Sequence, residues 1–163
     1  MALQAVVDRT EAIANQYRAT RVVQDANRVA RTAYGNFRML AQIVLKTDAD
    51  RTALSLNVRI PADRARFIRQ ARASFEAALT PDYAPALARR GYPESVIRDG
   101  LARLDALVAA DAAQLAAKAA AQQATADRRA AMRRLDDWFI EFRDIAKIAL
   151  RHRSDWVALL KIR

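Results

Sequence analysis

Cysteine is absent from the 163 residues of this chain, which excludes disulfides, cysteine-ligated zinc and thiol nucleophiles. Glycine occurs three times and proline four times, so long stretches carry no helix-breaking residue. No window approaches about eighteen consecutive apolar residues, and Asp8 and Arg9 interrupt the region where a signal peptide would be apolar. We therefore expect a cytoplasmic protein that has no membrane span and is not secreted.

Residue types that carry catalysis are also scarce. The chain has one histidine, His152, and four glutamates. Di-iron helical bundles require glutamates from several helices and Glu-x-x-His pairs, which this composition does not supply. Three isolated glycines do not make a glycine-rich phosphate loop. The sequence therefore predicts a non-enzymatic protein with no catalytic residue, no cofactor and no metal site.

Alanine and arginine are the abundant residues. The chain has 38 alanines, 24 of its 28 basic residues are arginine, and its net charge is +10. Alanine favours helix but buries little area. Arginine binds phosphate and carboxylate groups through two parallel hydrogen bonds. The basic residues are spread evenly and form no basic tail of the kind that often binds nucleic acid.

The first part of the chain predicts one long helix. Residues 3–46 contain a single glycine and no proline. Apolar positions recur along them in steps of three and four, which is the spacing of a helix with one packing side. The first stretch of this stripe is Leu3, Val6, Thr10, Ile13 and Tyr17, and the second is Val22, Ala26, Val29, Ala33, Phe37, Leu40 and Val44.

A polar stretch at residues 47–60 predicts a loop. Pro61, with Asp63 two residues later, is typical of a helix start, and Phe67 and Phe75 give the following helix an apolar side. The prolines at 81 and 85 limit any further helix there to a turn or two, and Gly91 should end it.

The longest predicted helix spans residues 94–153, with one glycine and no proline. Its apolar stripe runs through Leu101, Leu104, Val108, Asp111 or Ala112, Leu115, Ala119, Gln122, Thr125, Arg129, Met132, Leu135, Phe139, Phe142, Ala146 and Ala149. The middle of this stripe is small or polar. An alternative is a turn within residues 122–127, where Thr125 would cap a new helix.

An internal repeat relates the ends of the two long helices. At an offset of 105 residues, five of the nine pairs between residues 37–45 and 142–150 are identical. The pattern favours an all-α fold, an antiparallel helical bundle in one domain covering residues 1–163. An elongated three-helix up-down-up bundle with both repeat ends at one pole is preferred, and a compact four-helix bundle is the alternative.

Two clusters near the end of the long helix are candidate binding residues. Aromatic residues Trp138, Phe142 and Trp156 could form a protein interface, although ordinary core packing explains them as well. The densest basic cluster is a candidate anion site and comprises Arg128, Arg129, Arg133 and Arg134.

Three packing motifs carry a resemblance. They are Gly91-Tyr92, Gln122-x-x-Thr125, and the run Leu135-x-x-Trp138-x-x-x-Phe142-x-x-Ile145-Ala146-x-x-Ala149-Leu150. In these the chain resembles a group of uncharacterised bacterial helical-bundle proteins rich in alanine and arginine. The resemblance implies a bacterial, cytoplasmic, all-helical protein and no particular activity.

The function these observations favour is a helical scaffold or protein-interaction module that self-associates. The long helix greatly exceeds the helix predicted to pack against it, so a single copy covers its apolar stripe with difficulty. The alternative is a basic module that binds nucleic acid or another anionic surface through arginine.

Overall fold

A computed structural model describes residues 2–152 of the chain. Its helices are α1 (Ala2–Val44), α2 (Asp48–Ala53), α3 (Arg64–Ala78), α4 (Ala84–Ala88) and α5 (Glu94–Ala149). No strand occurs in this range, and the two long helices, α1 and α5, run antiparallel. The predicted all-α fold class is therefore confirmed.

The helix α3 begins at Arg64 rather than at Pro61. Asp63 precedes it in an extended conformation, and its carboxylate accepts a hydrogen bond from the Arg66 amide at 2.8 Å. This bond satisfies one of the four amides that a helix start leaves without a partner. Asp63 is thus the cap, and the prediction that Pro61 opens the helix is wrong.

The segment predicted as a loop, residues 47–60, contains the short helix α2. Thr47 caps it by accepting a hydrogen bond from the Asp50 amide at 3.1 Å. Asp48 and Asp50 lie in its first turn, where negative charge is favourable. The polar residues that suggested a loop therefore serve as a helix start.

The helix α5 is unbroken through residues 122–127. The Thr125 hydroxyl donates a hydrogen bond to the Ala121 carbonyl at 2.8 Å, one turn back within the same helix. Threonine in a helix interior commonly forms this bond instead of capping a new helix. The turn required by the four-helix alternative is absent from this part of the described chain.

The chain contacts divide into two compact units, each containing parts of α1 and α5. Unit 2 is Tyr17–Ala116, and unit 1 holds, among the described residues, 2–16 and 117–152. The assignment of residues 1–163 to a single domain stays a prediction.

In unit 2, α3 runs parallel to α1 and antiparallel to α5. Along α1, Arg31 lies over the ring of Phe67 and Tyr34 contacts the ring of Phe75 further along α3. Against α5 the order of contacts is reversed, because residues further along α3 meet residues earlier in α5. The ion pairs that show it join Arg64 to Asp111 and Arg72 to Asp105.

The predicted up-down-up order is therefore wrong in its directions, because the return path is not α3. Residues 54–62 run back along α1, where arginines on α1 hold their backbone. Arg38 donates to the Val58 carbonyl at 2.7 Å, and Arg31 donates to the Ala62 carbonyl at 3.0 Å. These bonds supply partners to carbonyls that no helix or strand satisfies.

Aromatic residues fill the core of unit 2. Phe37 and Phe75 are fully buried with ring centroids 4.9 Å apart, and Tyr34 packs edge-on to Phe75 at 5.8 Å. Gly100 on α5 makes room for this cluster, because a Cβ atom there would lie 2.6 Å from the Phe75 ring. The predicted core positions Phe37, Phe67 and Phe75 are all confirmed as buried.

The buried side of α5 in unit 2 differs from the predicted stripe. Leu104 is buried as expected, whereas Val108 and Leu115 are exposed. The side that packs carries Ile97, Leu104, Leu107 and Ala110. Alanine at most positions leaves several helical registers with similar apolar content, so the partner helices decide which side is buried.

Unit 1 buries far less than unit 2. Among its described residues only Ala121 is almost fully buried. The predicted stripe at the start of α1 does not pack, since Leu3 is 83% exposed and Val6 is 39% exposed. Four residues of the first stretch of this stripe lie in unit 1, and of these only Ile13 is partly covered. The fifth, Tyr17, lies in unit 2 and is exposed.

Candidate protein-interaction surface

The end of α5 carries a contiguous set of exposed apolar side chains in unit 1. Trp138 is 57% exposed and Phe142 is 47% exposed, and their rings stack at 5.5 Å with planes 14° apart. We call the set the aromatic face, and it comprises Leu135, Trp138, Phe139, Phe142 and Ile145. Two of the three predicted interface residues belong to it, and Trp156 lies outside the described residues.

The aromatic face continues the side of α5 that is covered nearer the middle of the helix. Steps of three and four lead from Ala117 through Ala121, Ala124, Arg128 and Ala131 to Leu135, Trp138 and Phe142. The members of this stripe up to Ala131 are buried or partly buried, whereas Leu135, Trp138 and Phe142 are exposed. One stripe of the helix thus passes from a covered to an uncovered region.

A groove marks the point where this change occurs. Ala2, the first residue of α1, lines it together with Ala131, Arg134, Leu135 and Trp138, and its volume is about 260 Å³. Trp138 therefore borders the last position that α1 covers. Phe142 lies one turn of α5 beyond this groove.

The charges around the aromatic face balance. Residues 133–147 contain four basic and four acidic side chains, in a chain whose net charge is +10. The basic residues are Arg133, Arg134, Arg143 and Lys147, and the acidic residues are Asp136, Asp137, Glu141 and Asp144. A neutral, apolar surface favours contact with protein over contact with a polyanion.

The predicted anion cluster does not form one surface. Arg128 is partly buried on the covered side of α5, and Arg134 lines the groove beside Ala2. Arg129 and Arg133 are exposed and lie one turn apart on a different side of the helix. No ion pair joins any of the four to an acidic residue within residues 2–152. The anion site therefore stays a prediction, and only Arg129 and Arg133 are exposed on the same side of α5.

A second exposed apolar group lies at the start of α1, and the sequence did not predict its exposure. Leu3 and Val6 at the start of α1 were expected to pack, yet they lie exposed in unit 1, as does the neighbouring Val7. Their steps of three and four are the same in a buried and in an exposed stripe, so the spacing alone could not distinguish the two.

No group of three or more metal-ligating side chains occurs within residues 2–152. His152 is exposed and accepts a hydrogen bond from the Arg151 guanidinium at 3.0 Å. None of the described helices is long and apolar enough to cross a membrane.

Comparisons with known proteins return no relative. No protein-family model matches the chain, and neither a curated protein nor a solved structure matches it. The resemblance to bacterial helical-bundle proteins therefore stays a prediction.

Proposed function

We propose that this protein is a non-enzymatic interaction module that binds a partner helix through the aromatic face of α5. The observation that carries the proposal is the run of exposed Leu135, Trp138 and Phe142 on the side of α5 that α1 covers up to Ala131. Single exposed apolar residues are common on protein surfaces, whereas a contiguous exposed group indicates a binding site.

A helix is the partner that the spacing fits best. The stripe repeats in steps of three and four, which is how one helix presents side chains to the grooves of another. Tryptophan is also enriched among the residues that dominate interface energies. The stacked rings of Trp138 and Phe142 form a ready-made anchor for such a contact.

A paired substitution tests the module. The double variant Trp138→Glu/Phe142→Glu places charge on two exposed positions of a helix, so the fold of unit 2 should survive it. The control is Leu115→Glu, because Leu115 is 67% exposed on the same helix in unit 2. Immobilised wild-type and control chains should retain the same partner from a host extract, and the double variant should lose it.

The retained protein would then be purified and its affinity measured by calorimetry. We expect the double variant to weaken binding at least about 100-fold, the size typical of losing two anchor residues. Equal binding by all three chains would reject the aromatic face as the binding site.

A second candidate function is supported by the net charge of +10 and by exposed Arg129 and Arg133. These two arginines could bind a polyanion such as nucleic acid by releasing its counterions. Retention of DNA at low salt that is lost at moderate salt, and is weaker in Arg129→Gln/Arg133→Gln, would support it. The absence of retention at low salt would exclude it.

The proposed setting is the bacterial cytoplasm, as the lack of cysteine and the resemblance favour. Fractionation of cells that express the chain under its own promoter would test this location.

A further inference from the structure

We infer that the partner helix is the same segment of a second copy, with the two α5 helices packed antiparallel and Phe142 at the two-fold axis. The inference rests on the proposed function, since it names the occupant of the aromatic face. Three independent features of the segment carry it: its spacing, its charge and its area.

The spacing of the stripe is symmetric about Phe142. Leu135 and Trp138 lie seven and four residues before it, and Ala146 and Ala149 lie four and seven residues after it. All five positions share one side of α5, because these steps are close to whole helical turns.

The side chains are unequal in size across that centre. In an antiparallel pair, Trp138 of one copy faces Ala146 of the other, and Leu135 faces Ala149. Facing positions that alternate large and small side chains interdigitate without voids. A parallel pair would place Trp138 against Trp138 and leave Ala146 against Ala146, with crowding at one end and a gap at the other.

The charges permit two copies to meet. The chain carries +10, but its segment 133–147 has four basic and four acidic residues, so two such segments do not repel each other as whole chains do. The neutral segment is also the one that exposes the aromatic residues.

The exposed apolar area reaches the size of a weak, specific interface. An aromatic side chain buries about 150–250 Å² when covered, so half-exposed Trp138, Phe139 and Phe142 still offer on the order of 300 Å² in each copy. With Leu135 and Ile145 added, two copies bury at most roughly 1,000 Å², which is the lower limit for a specific interface. The expected dimer is therefore reversible.

Sedimentation equilibrium of the full chain is the first test. We expect a concentration-dependent dimer of twice the 18.2 kDa chain. Trp138→Glu/Phe142→Glu should raise the dissociation constant at least about 100-fold, while Leu115→Glu leaves it unchanged. Circular dichroism checks that both variants keep their helix content.

Disulfide trapping tests the geometry, because the chain has no cysteine of its own. Phe142→Cys brings two thiols together at the axis and should form a covalent dimer under mild oxidation. Ala146→Cys should not, because its two copies lie roughly 12 Å apart along the helices. Trapping of Ala146→Cys with itself would overturn the antiparallel arrangement.

The remaining outcomes separate this inference from the proposed function. A wild-type chain that stays monomeric at all concentrations, yet binds a different protein that the double variant loses, overturns the second copy and keeps the module. A dimer that survives in the double variant overturns the inference as well. If the wild-type chain floats with vesicles of anionic or neutral lipid and the double variant does not, the aromatic face binds a lipid surface. That result would reject both the second copy and the helix-binding module.

Discussion

The two copies of the internal repeat differ in how far they are buried. In unit 2, Phe37 and Ala41 are fully buried and Leu45 nearly so. Their counterparts in unit 1 begin with Phe142, which is exposed, and continue with Ala146 and Leu150, which are partly covered. The difference arises because α3 packs against the first copy, through Phe75 at 4.9 Å from Phe37. Similar helices therefore become core or surface according to what packs on them.

The largest expected difference between the units is in local stability. Unit 2 buries an aromatic cluster, whereas unit 1 almost fully buries only Ala121 among its described residues. We expect amides of residues 2–16 and 117–149 to exchange hydrogen at least about 100-fold faster than those around Phe37 and Leu104. Hydrogen-exchange mass spectrometry of the dilute chain measures this.

Raising the protein concentration sharpens that comparison. If a second copy covers the aromatic face, exchange should slow around residues 135–149 and stay unchanged in unit 2. Equal protection of both units in the dilute chain would contradict the contrast in burial.

Truncation of the paired phenylalanines should show the next largest difference. Phe37→Ala removes a fully buried ring and should lower the free energy of unfolding by about 3–5 kcal/mol. Phe142→Ala at the matching repeat position should change it by less than about 1 kcal/mol in the monomer. Urea unfolding followed by circular dichroism tests both variants, and similar losses would mean that the second copy is buried too.

A smaller effect is expected from two glycines of unit 2. Gly100→Ala places a methyl group 2.6 Å from the Phe75 ring. Such overpacking costs about 1–3 kcal/mol, which outweighs or cancels the roughly 1 kcal/mol that alanine contributes to a helix. Gly35→Ala is the matched control, because nothing lies within 4 Å of its added Cβ, and it should gain up to about 1 kcal/mol.

Thermal unfolding of the two glycine variants gives the result directly. Equal stabilisation by the two substitutions would show that the packing around Phe75 relaxes easily. The core of unit 2 would then be less tightly packed than its burial indicates.

The smallest effect is a pH dependence within the unit 2 core. Burial raises the pKa of Tyr92, nearby Arg103 lowers it and Asp99 raises it, with burial the largest cause. A hydroxyl whose pKa rises on folding contributes stability below the unfolded-state pKa of about 10, and this is lost as the pH rises through the folded-state pKa. Urea midpoints between about pH 9 and 11 should fall less in Tyr92→Phe than in the wild type.

The matched control for that series is Tyr17→Phe, because Tyr17 is 69% exposed. An unchanged pH profile in Tyr92→Phe would show that other groups carry the alkaline loss.

Much of the helical content could be predicted from local sequence. The absence of proline and the scarcity of glycine led to α1 and α5, and Gly91, with its positive φ of 79°, ends the α4 region as expected. The Asp63 cap and the helix α2 were missed because a cluster of Asp, Thr and Ser residues suits both a loop and a helix start. Whether such a cluster forms a loop or starts a helix depends on a single hydrogen bond, such as the one that the Thr47 hydroxyl accepts from the Asp50 amide.

The candidate site was only partly predictable. Trp138 and Phe142 stood out as aromatic residues on one helix side, but their exposure could not be read from spacing. Leu3 and Val6 show the same ambiguity in reverse, since a regular stripe was expected to pack and lies exposed. Periodicity identifies the apolar side of a helix, and burial requires a second helix to cover it.

By itself, then, the sequence determined that this chain is helical, where its longest helices run and that the aromatic residues of α5 share a side, because propensity and spacing are local properties. Only the tertiary structure decided that α3 lies parallel to α1, that residues 54–62 return along α1 on the guanidinium groups of Arg31 and Arg38, and that Phe37 is core while Phe142 is surface. Those outcomes depend on contacts between residues distant in the chain, and an alanine-rich helix offers several sides of nearly equal apolar content on which such contacts can form.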